Sequence, residues 1–163
     1  MILNILSVCL IISKKNDSKI TLIKAKIIYQ MLRMSAENEP TVLICDDDED
    51  LLFLAYSFLS KKHIKVLKAT TGQEALDIYK NKIGEINLVI LDNTFKNSKL
   101  QGQDILLSLK KIDPTSKVLI SSGYPENYFK EMFPPEAYKL IDGFIDKNYS
   151  SPTFIKSLES YFK

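Results

Sequence analysis

"TVLICDDDEDLL" (residues 41–52) sets a short apolar run, Val42 to Cys45, directly before five consecutive acids, Asp46 to Asp50. Five like charges in a row repel one another, so such a block is a solvated tail, a helix start or a cation site. The apolar run, bounded by charge, suits a buried strand. In "DLLFLAYSFLSKK" (50–62) the apolar residues recur at helical spacing, with Asp46 to Asp48 before them as cap candidates. The stretch reads as strand, acidic turn, helix.

The same alternation continues to the end of the chain. "IKVLKAT" (64–70), "INLVILD" (86–92), "SKVLISSG" (116–123) and "DGFIDK" (142–147) read as further strands. "GQEALDIYKNK" (72–82), "DILLSLKKI" (104–112), "PENYFKEMF" (125–133) and "SPTFIKSLESYF" (151–162) read as helices between and after them. The Pro134–Pro135 pair should interrupt the fourth helix, because proline lacks the amide donor and clashes with the preceding turn. Pro152 fits the first turn of the last helix. Strands alternating with helices five times predict an α/β fold, a doubly wound (βα)5 parallel sheet of five strands with helices on both faces. Right-handed crossovers put all strand carboxyl ends along one edge, where such sheets bind ligands. The residues at those ends are Asp46 and Asp47, Asp92, Ser121 and Ser122, and Lys147.

Composition narrows the function classes. The chain has 163 residues, 45% hydrophobic and 26% charged, which suits one globular domain with an appendage. A net charge of +2 gives no general argument for nucleic-acid binding. Cys9 and Cys45 match neither a zinc spacing nor a disulfide framework, so the expected setting is the cytoplasm. His63, beside Lys61 and Lys62, reads as a surface residue, since a catalytic histidine needs a positioned partner.

Residues 1–38 differ from the rest. They carry six basic and two acidic side chains, a net +4, against −2 for residues 39–163. "MILNILSVCLII" (1–12) falls short of the ~20 residues of a spanning helix. "ITLIKAKIIYQMLRM" (20–34) has helical apolar spacing, and "SAENEP" (35–40) reads as a linker. The expected division is an N-terminal extension, 1–38, and a domain, 39–163. Met34 is where a bare domain could begin, which makes residues 1–33 dispensable for folding; an amphipathic helix around Ile20 to Leu32 is the alternative. Membrane contact is not expected.

Carboxylates gathered at one edge repel unless a cation joins them, and an oxygen-only set suits Mg2+. A carboxylate beside such an ion can attack a phosphoryl group, with the ion, a hydroxyl and an ammonium receiving the phosphoryl oxygens. Here the residues resemble the receiver domains of two-component response regulators, from about Thr41 onward. "VLICDDDEDLL" resembles the family's acidic-pair motif, with Asp46 and Asp47 as the pair. "LVILD" resembles the strand that ends in the phosphoacceptor, here Asp92. "VLISSG" supplies the switch hydroxyl as Ser122, followed by Gly123; "GFIDK" supplies the lysine as Lys147, with Phe144 at the switch aromatic position. The resemblance implies Mg2+ on Asp46, Asp47, Asp92 and the Thr94 backbone carbonyl. It implies a phosphoryl donor that is a sensor histidine kinase or a histidine phosphotransfer protein, and a downstream protein target.

The sequence departs from the family at Lys96, where proline is usual, at Gln101, where Asp is common, and in a loop before Gly102 about two residues longer. Asn148 stands where proline usually follows the lysine, leaving the geometry of that peptide open. The expected activity is a stand-alone receiver catalysing at most its own phosphorylation and dephosphorylation, without an output domain. A degenerate receiver that only binds, and a hydrolase with an Asp nucleophile at "VILDNT" (89–94), are the alternatives. The hydrolase motif needs a second acid where this chain has Thr94.

Overall fold

The computed structural model describes residues 26–30, 39–96 and 98–162, and the side chain of Glu159 is not among them. Met1–Glu39 and Pro40–Lys163 form two compact units. In the first, residues 26–30 are helical, with Ile27, Ile28 and Tyr29 exposed. The remainder of the helix expected over 20–34, and the apolar run 1–12, lie outside the described residues.

The second unit is one parallel sheet. Its strands are β1 (Thr41–Cys45), β2 (Lys65–Ala69), β3 (Leu88–Asp92), β4 (Val118–Ser122) and β5 (Gly143–Asp146). They lie in the order β2-β1-β3-β4-β5, every pair parallel. The helices are α1 (Glu49–Leu59), α2 (Gly72–Asn81), α3 (Gly102–Ile112), α4 (Glu126–Met132), α5 (Pro135–Tyr138) and α6 (Pro152–Glu159). This is the expected (βα)5 fold.

Side chains alternate across a strand, so each central strand must be apolar on both faces. In β1 and β3, Leu43, Cys45, Val89 and Leu91 meet Ala75, Leu76 and Tyr79 of α2 and Ile105, Leu106 and Leu109 of α3 in one core. Val42, Ile44, Leu88 and Ile90 face the other side and pack with Leu52, Ala55 and Leu59 of α1 and Phe154 and Leu158 of α6. Each large side chain buried this way contributes about 1.5–3 kcal/mol. Edge strand β2 is different. Lys65 and Lys68 stay exposed there, which suits a strand with one unpaired side.

The proline pair acts as expected. Helix α4 stops at Met132 with buried Phe133 as its cap, and Pro135 occupies the first position of short α5, where a missing amide costs nothing. The new helix after the break is not apparent in the sequence. Pro152 opens α6, and the Ser151 hydroxyl accepts from the Thr153 amide. All peptide bonds among the described residues are trans, the Lys147–Asn148 bond included. Among those residues, no helix is long and apolar enough to cross a membrane.

Candidate functional site

The strand order reverses between β1 and β3: the chain leaves β1 toward β2 on one side and returns to β3 on the other. The crevice beyond the carboxyl ends at such a switch point is where open α/β sheets bind ligands. Asp46 and Asp47 follow β1, and Asp92 ends β3.

The five acids of the opening stretch divide their labour. Asp48 caps α1, its carboxylate accepting the Asp50 and Leu51 amides at 3.0 and 3.1 Å. Glu49 and Asp50 sit in the first turn, where the positive end of the helix dipole favours them. Asp46 is fully buried, and its Oδ1 accepts the Asp48 amide at 3.0 Å. Asp47 is half-buried, and its Oδ2 accepts the Lys96 amide at 2.8 Å.

Lys147, just past β5, closes the group. Its Nζ lies 3.0 Å from Asp46 Oδ2 and 2.9 Å from Asp92 Oδ2. The contact with Asp46 is an ion pair without hydrogen-bond alignment, so the buried Oδ2 has charge compensation but no well-aimed donor. Burial pushes the Asp92 carboxyl above its ordinary range, against the opposing pull of Lys147, and the Asp46 charge adds to the rise. Burial draws the Lys147 ammonium down, but its close contacts with the Asp92 carboxylate and then with Asp46 outweigh that and hold it above its ordinary value.

Asp46, Asp47, Asp92, Thr94, Ser122 and Lys147 all line one cleft of about 270 Å³. Ser122 ends β4, and its Oγ accepts the Tyr124 amide at 3.0 Å. Phe144 stands apart from that cleft. It is half-buried on β5 with ring centroids 5.3 Å from Phe129 and 6.1 Å from Tyr138. It lines a second cavity of about 340 Å³ with Ile120 and Pro125, and Ser122, Gly123 and Tyr124 border both spaces. His63 is exposed. Cys45 is buried and desolvation raises its thiol far above the range of a reactive thiolate.

Each of Asp46, Asp47 and Asp92 offers a carboxylate oxygen, and these three atoms lie within 4.8 Å of one another. An oxygen-only donor set containing a buried oxygen without a hydrogen-bond donor fits a hard divalent cation.

Two contacts could not be read from side-chain patterns. Lys96 serves through its backbone amide, which no residue type encodes. Tyr149, in the loop-like "KNYSS" (147–151), is fully buried, its hydroxyl 2.9 Å from Ser121 Oγ. An aromatic beside a polar run is the only signal it gave.

The chain resembles known proteins over most of its length. It is 28% identical over 141 residues to the sensor kinase CckA of Brucella abortus, an alignment covering 86% of this chain and 14% of that protein. The chain thus spans only a small part of the length of that curated relative. A response regulator receiver domain protein of Clostridium thermocellum superposes with a TM-score of 0.61 at 24% identity, covering 76% of this chain and 90% of that one. The response regulator TrrA of Thermotoga maritima, solved in complex with Mg2+-BeF, superposes with a TM-score of 0.63 at 18% identity, covering 75% and 98%. The sequence profile described as response regulator receiver domain matches residues 42–159, from β1 to α6. With the whole sheet and its acidic edge inside that match, the chain belongs to the response regulator receiver domain family and is a phospho-accepting signalling module.

Proposed function

We propose that Asp92 is the phosphoacceptor, taking its phosphoryl group from the phosphohistidine of a sensor histidine kinase or histidine phosphotransfer protein. The signal then passes to a downstream protein by contact, in a cytoplasmic setting and without nucleic-acid binding by this chain. The observation that carries this reading is the Lys147 ammonium, 2.9 Å from Asp92 and 3.0 Å from Asp46, in a cleft shared with Asp47, Thr94 and Ser122.

An Asp92 carboxylate oxygen forms the bond to phosphorus while the phosphorus–nitrogen bond to the donor imidazole breaks. The imidazole leaves with the bonding pair and takes up a proton. Asp46, Asp47, Asp92 and the Thr94 carbonyl would hold Mg2+, in keeping with the acidic cluster and with the ion in the TrrA complex. That ion, when bound, neutralises charge on the carboxylates and on the incoming phosphoryl oxygens. Lys147 pairs with one phosphoryl oxygen. The Ser122 hydroxyl, which accepts from Tyr124, still has its own proton to donate to another. Drawing Ser122 toward Asp92 enlarges the space beside Phe144, which then turns inward and alters the surface built by α4, β5 and α6.

The test is incubation with Mg2+ and a small phosphodonor, followed by mass spectrometry. A gain of one phosphoryl group on Asp92, abolished by Asp92→Asn, is the expected result; modification elsewhere refutes the assignment. Residues 1–38 are proposed as an extension, with 1–33 dispensable for folding. A chain starting at Met34 should lose less than about 2 kcal/mol, the scale of one well-buried large side chain.

A further inference from the structure

The segment between β3 and α3 carries one group proposed for the cation, the Thr94 carbonyl, and also the Lys96 amide that holds Asp47. We infer that Gln101 is a positioning residue for the cation site, fixing this segment through its side-chain amide. The inference rests on the cation reading above and adds a residue to it.

The Gln101 side chain pairs with Phe95 in both directions. The Phe95 amide donates to Oε1 at 3.0 Å, and Nε2 donates to the Phe95 carbonyl at 3.1 Å. Nε2 also donates to the Ser98 carbonyl at 2.9 Å. Gln101 is itself anchored at the head of α3. Its amide donates to Asp104 Oδ2 at 2.9 Å, and its carbonyl accepts the Asp104 and Ile105 amides at 2.9 and 3.1 Å. The Phe95 ring is 2% exposed in the core that holds Ile105, Leu106 and Leu109. One residue further on, the Gly102 amide donates to the Asn93 carbonyl at 2.9 Å. Gln101 and Gly102 therefore grip both ends of residues 93–95, and Lys96 follows directly.

The consequence falls on Asp47. One of its carboxylate oxygens is taken by the Lys96 amide, and the other is left for a cation. What aims that carboxylate is thus a backbone amide whose place is set by Gln101. Without the carboxamide, one amide and two carbonyls of the loop turn to water, and the Lys96 amide loses its fixed position. Groups that orient metal ligands in this way typically matter by 10–100-fold in affinity. At the start of α3 the backbone of Gln101 and the Asp104 carboxylate make hydrogen bonds of their own, which the helix keeps when the carboxamide is lost.

Mg2+ affinity is measured by titration calorimetry on the full chain, wild type, Gln101→Ala and Gln101→Glu, with amide exchange at Lys96 followed alongside. Gln101→Ala should bind Mg2+ about tenfold more weakly, with unchanged far-UV circular dichroism and faster exchange at Lys96. Gln101→Glu keeps the acceptor for Phe95, loses the donor and adds a negative charge. Charge alone would tighten Mg2+ binding, whereas loss of positioning weakens it, so weaker binding is expected there too. Gln101→Ala within about twofold of wild type, or Gln101→Glu tighter than wild type, overturns the inference while leaving the cation site standing. A wild type that binds no Mg2+ overturns both. If Gln101→Ala does not fold, Gln101→Glu decides.

Discussion

Replacing Gly102 by alanine tests how tightly α3 is pressed onto the end of β3. A Cβ there would stand 2.6 Å from the Asp92 carbonyl oxygen, 2.7 Å from Asn93 Cα and 2.9 Å from the Asn93 carbonyl oxygen. All three are backbone atoms at the end of a buried strand, so none can rotate away. Alanine is favoured over glycine in a helix by about 0.5–1 kcal/mol, and overpacking of a rigid site costs about 1–3 kcal/mol. The clash wins, for a net loss of about 1–2 kcal/mol. For a domain of this size that lowers the melting temperature by about 3–10 °C. Two other glycines calibrate the effect in the same thermal melts. At Gly72 the new Cβ meets Ile105 Cδ1 at 2.7 Å, Ile105 Cγ1 at 2.9 Å and Leu100 Cβ at 3.1 Å, side-chain atoms that can give where backbone cannot, so Gly72→Ala should cost less than Gly102→Ala. At Gly123 nothing lies within 4 Å, so Gly123→Ala should stay within about 0.5 kcal/mol. A Gly102→Ala protein melting at or above wild type refutes the reasoning, as does a Gly72→Ala protein that loses just as much.

Millimolar Mg2+ should raise the melting temperature, because a ligand bound only by the folded form stabilises it by mass action; Asp92→Asn should blunt that rise, and a wild type indifferent to Mg2+ refutes the site. Ser122→Ala and Lys147→Ala, each phosphorylated on Asp92, should lose the phosphorylation-dependent change in amide exchange over residues 136–150; a full wild-type change in either removes that side chain from the switch. Asp113 has a depressed pKa, held down by hydrogen bonds from Thr115 and then from the Tyr79 hydroxyl. Its contribution is therefore complete above the unfolded carboxylate pKa of about 3.9 and is lost as pH falls through the lower folded value. Asp113→Ala should cost about 1 kcal/mol at neutral pH, a difference that shrinks in melts carried below about pH 4.

The sequence was readable where one residue type answers one physical demand. "LVILD" is apolar without interruption because β3 has a helix layer on each face, and its terminal acid stands where the strand leaves the core. The proline pair ends whatever helix precedes it, because proline lacks the amide and clashes with the preceding turn. Asp48 caps α1 for the same local reason. What stayed hidden depends on contacts between distant segments. That Lys147 spans Asp46 and Asp92 follows from β1, β3 and β5 ending on one edge, and the topology rule could place the three residues there without giving the contact. Gln101 looks like an ordinary polar loop residue until the loop closes on Phe95. Tyr149 looks solvated until β4 brings Ser121 beside it. The proline break showed where α4 ends, but not that Pro135 would start another helix.

The order in which the chain is made gives the Lys147 contacts a further meaning. A chain leaving the ribosome completes β1 and β3, with Asp46 and Asp92, well before the ammonium that neutralises both has been synthesised. Until β5 seats against β4, two carboxylates that the folded domain buries lack their counter-charge, and burying them unpaired is costly. Seating β5 adds a strand and a counter-charge in the same event. A nascent or nicked chain lacking that strand has two carboxylates at this edge and no ammonium between them.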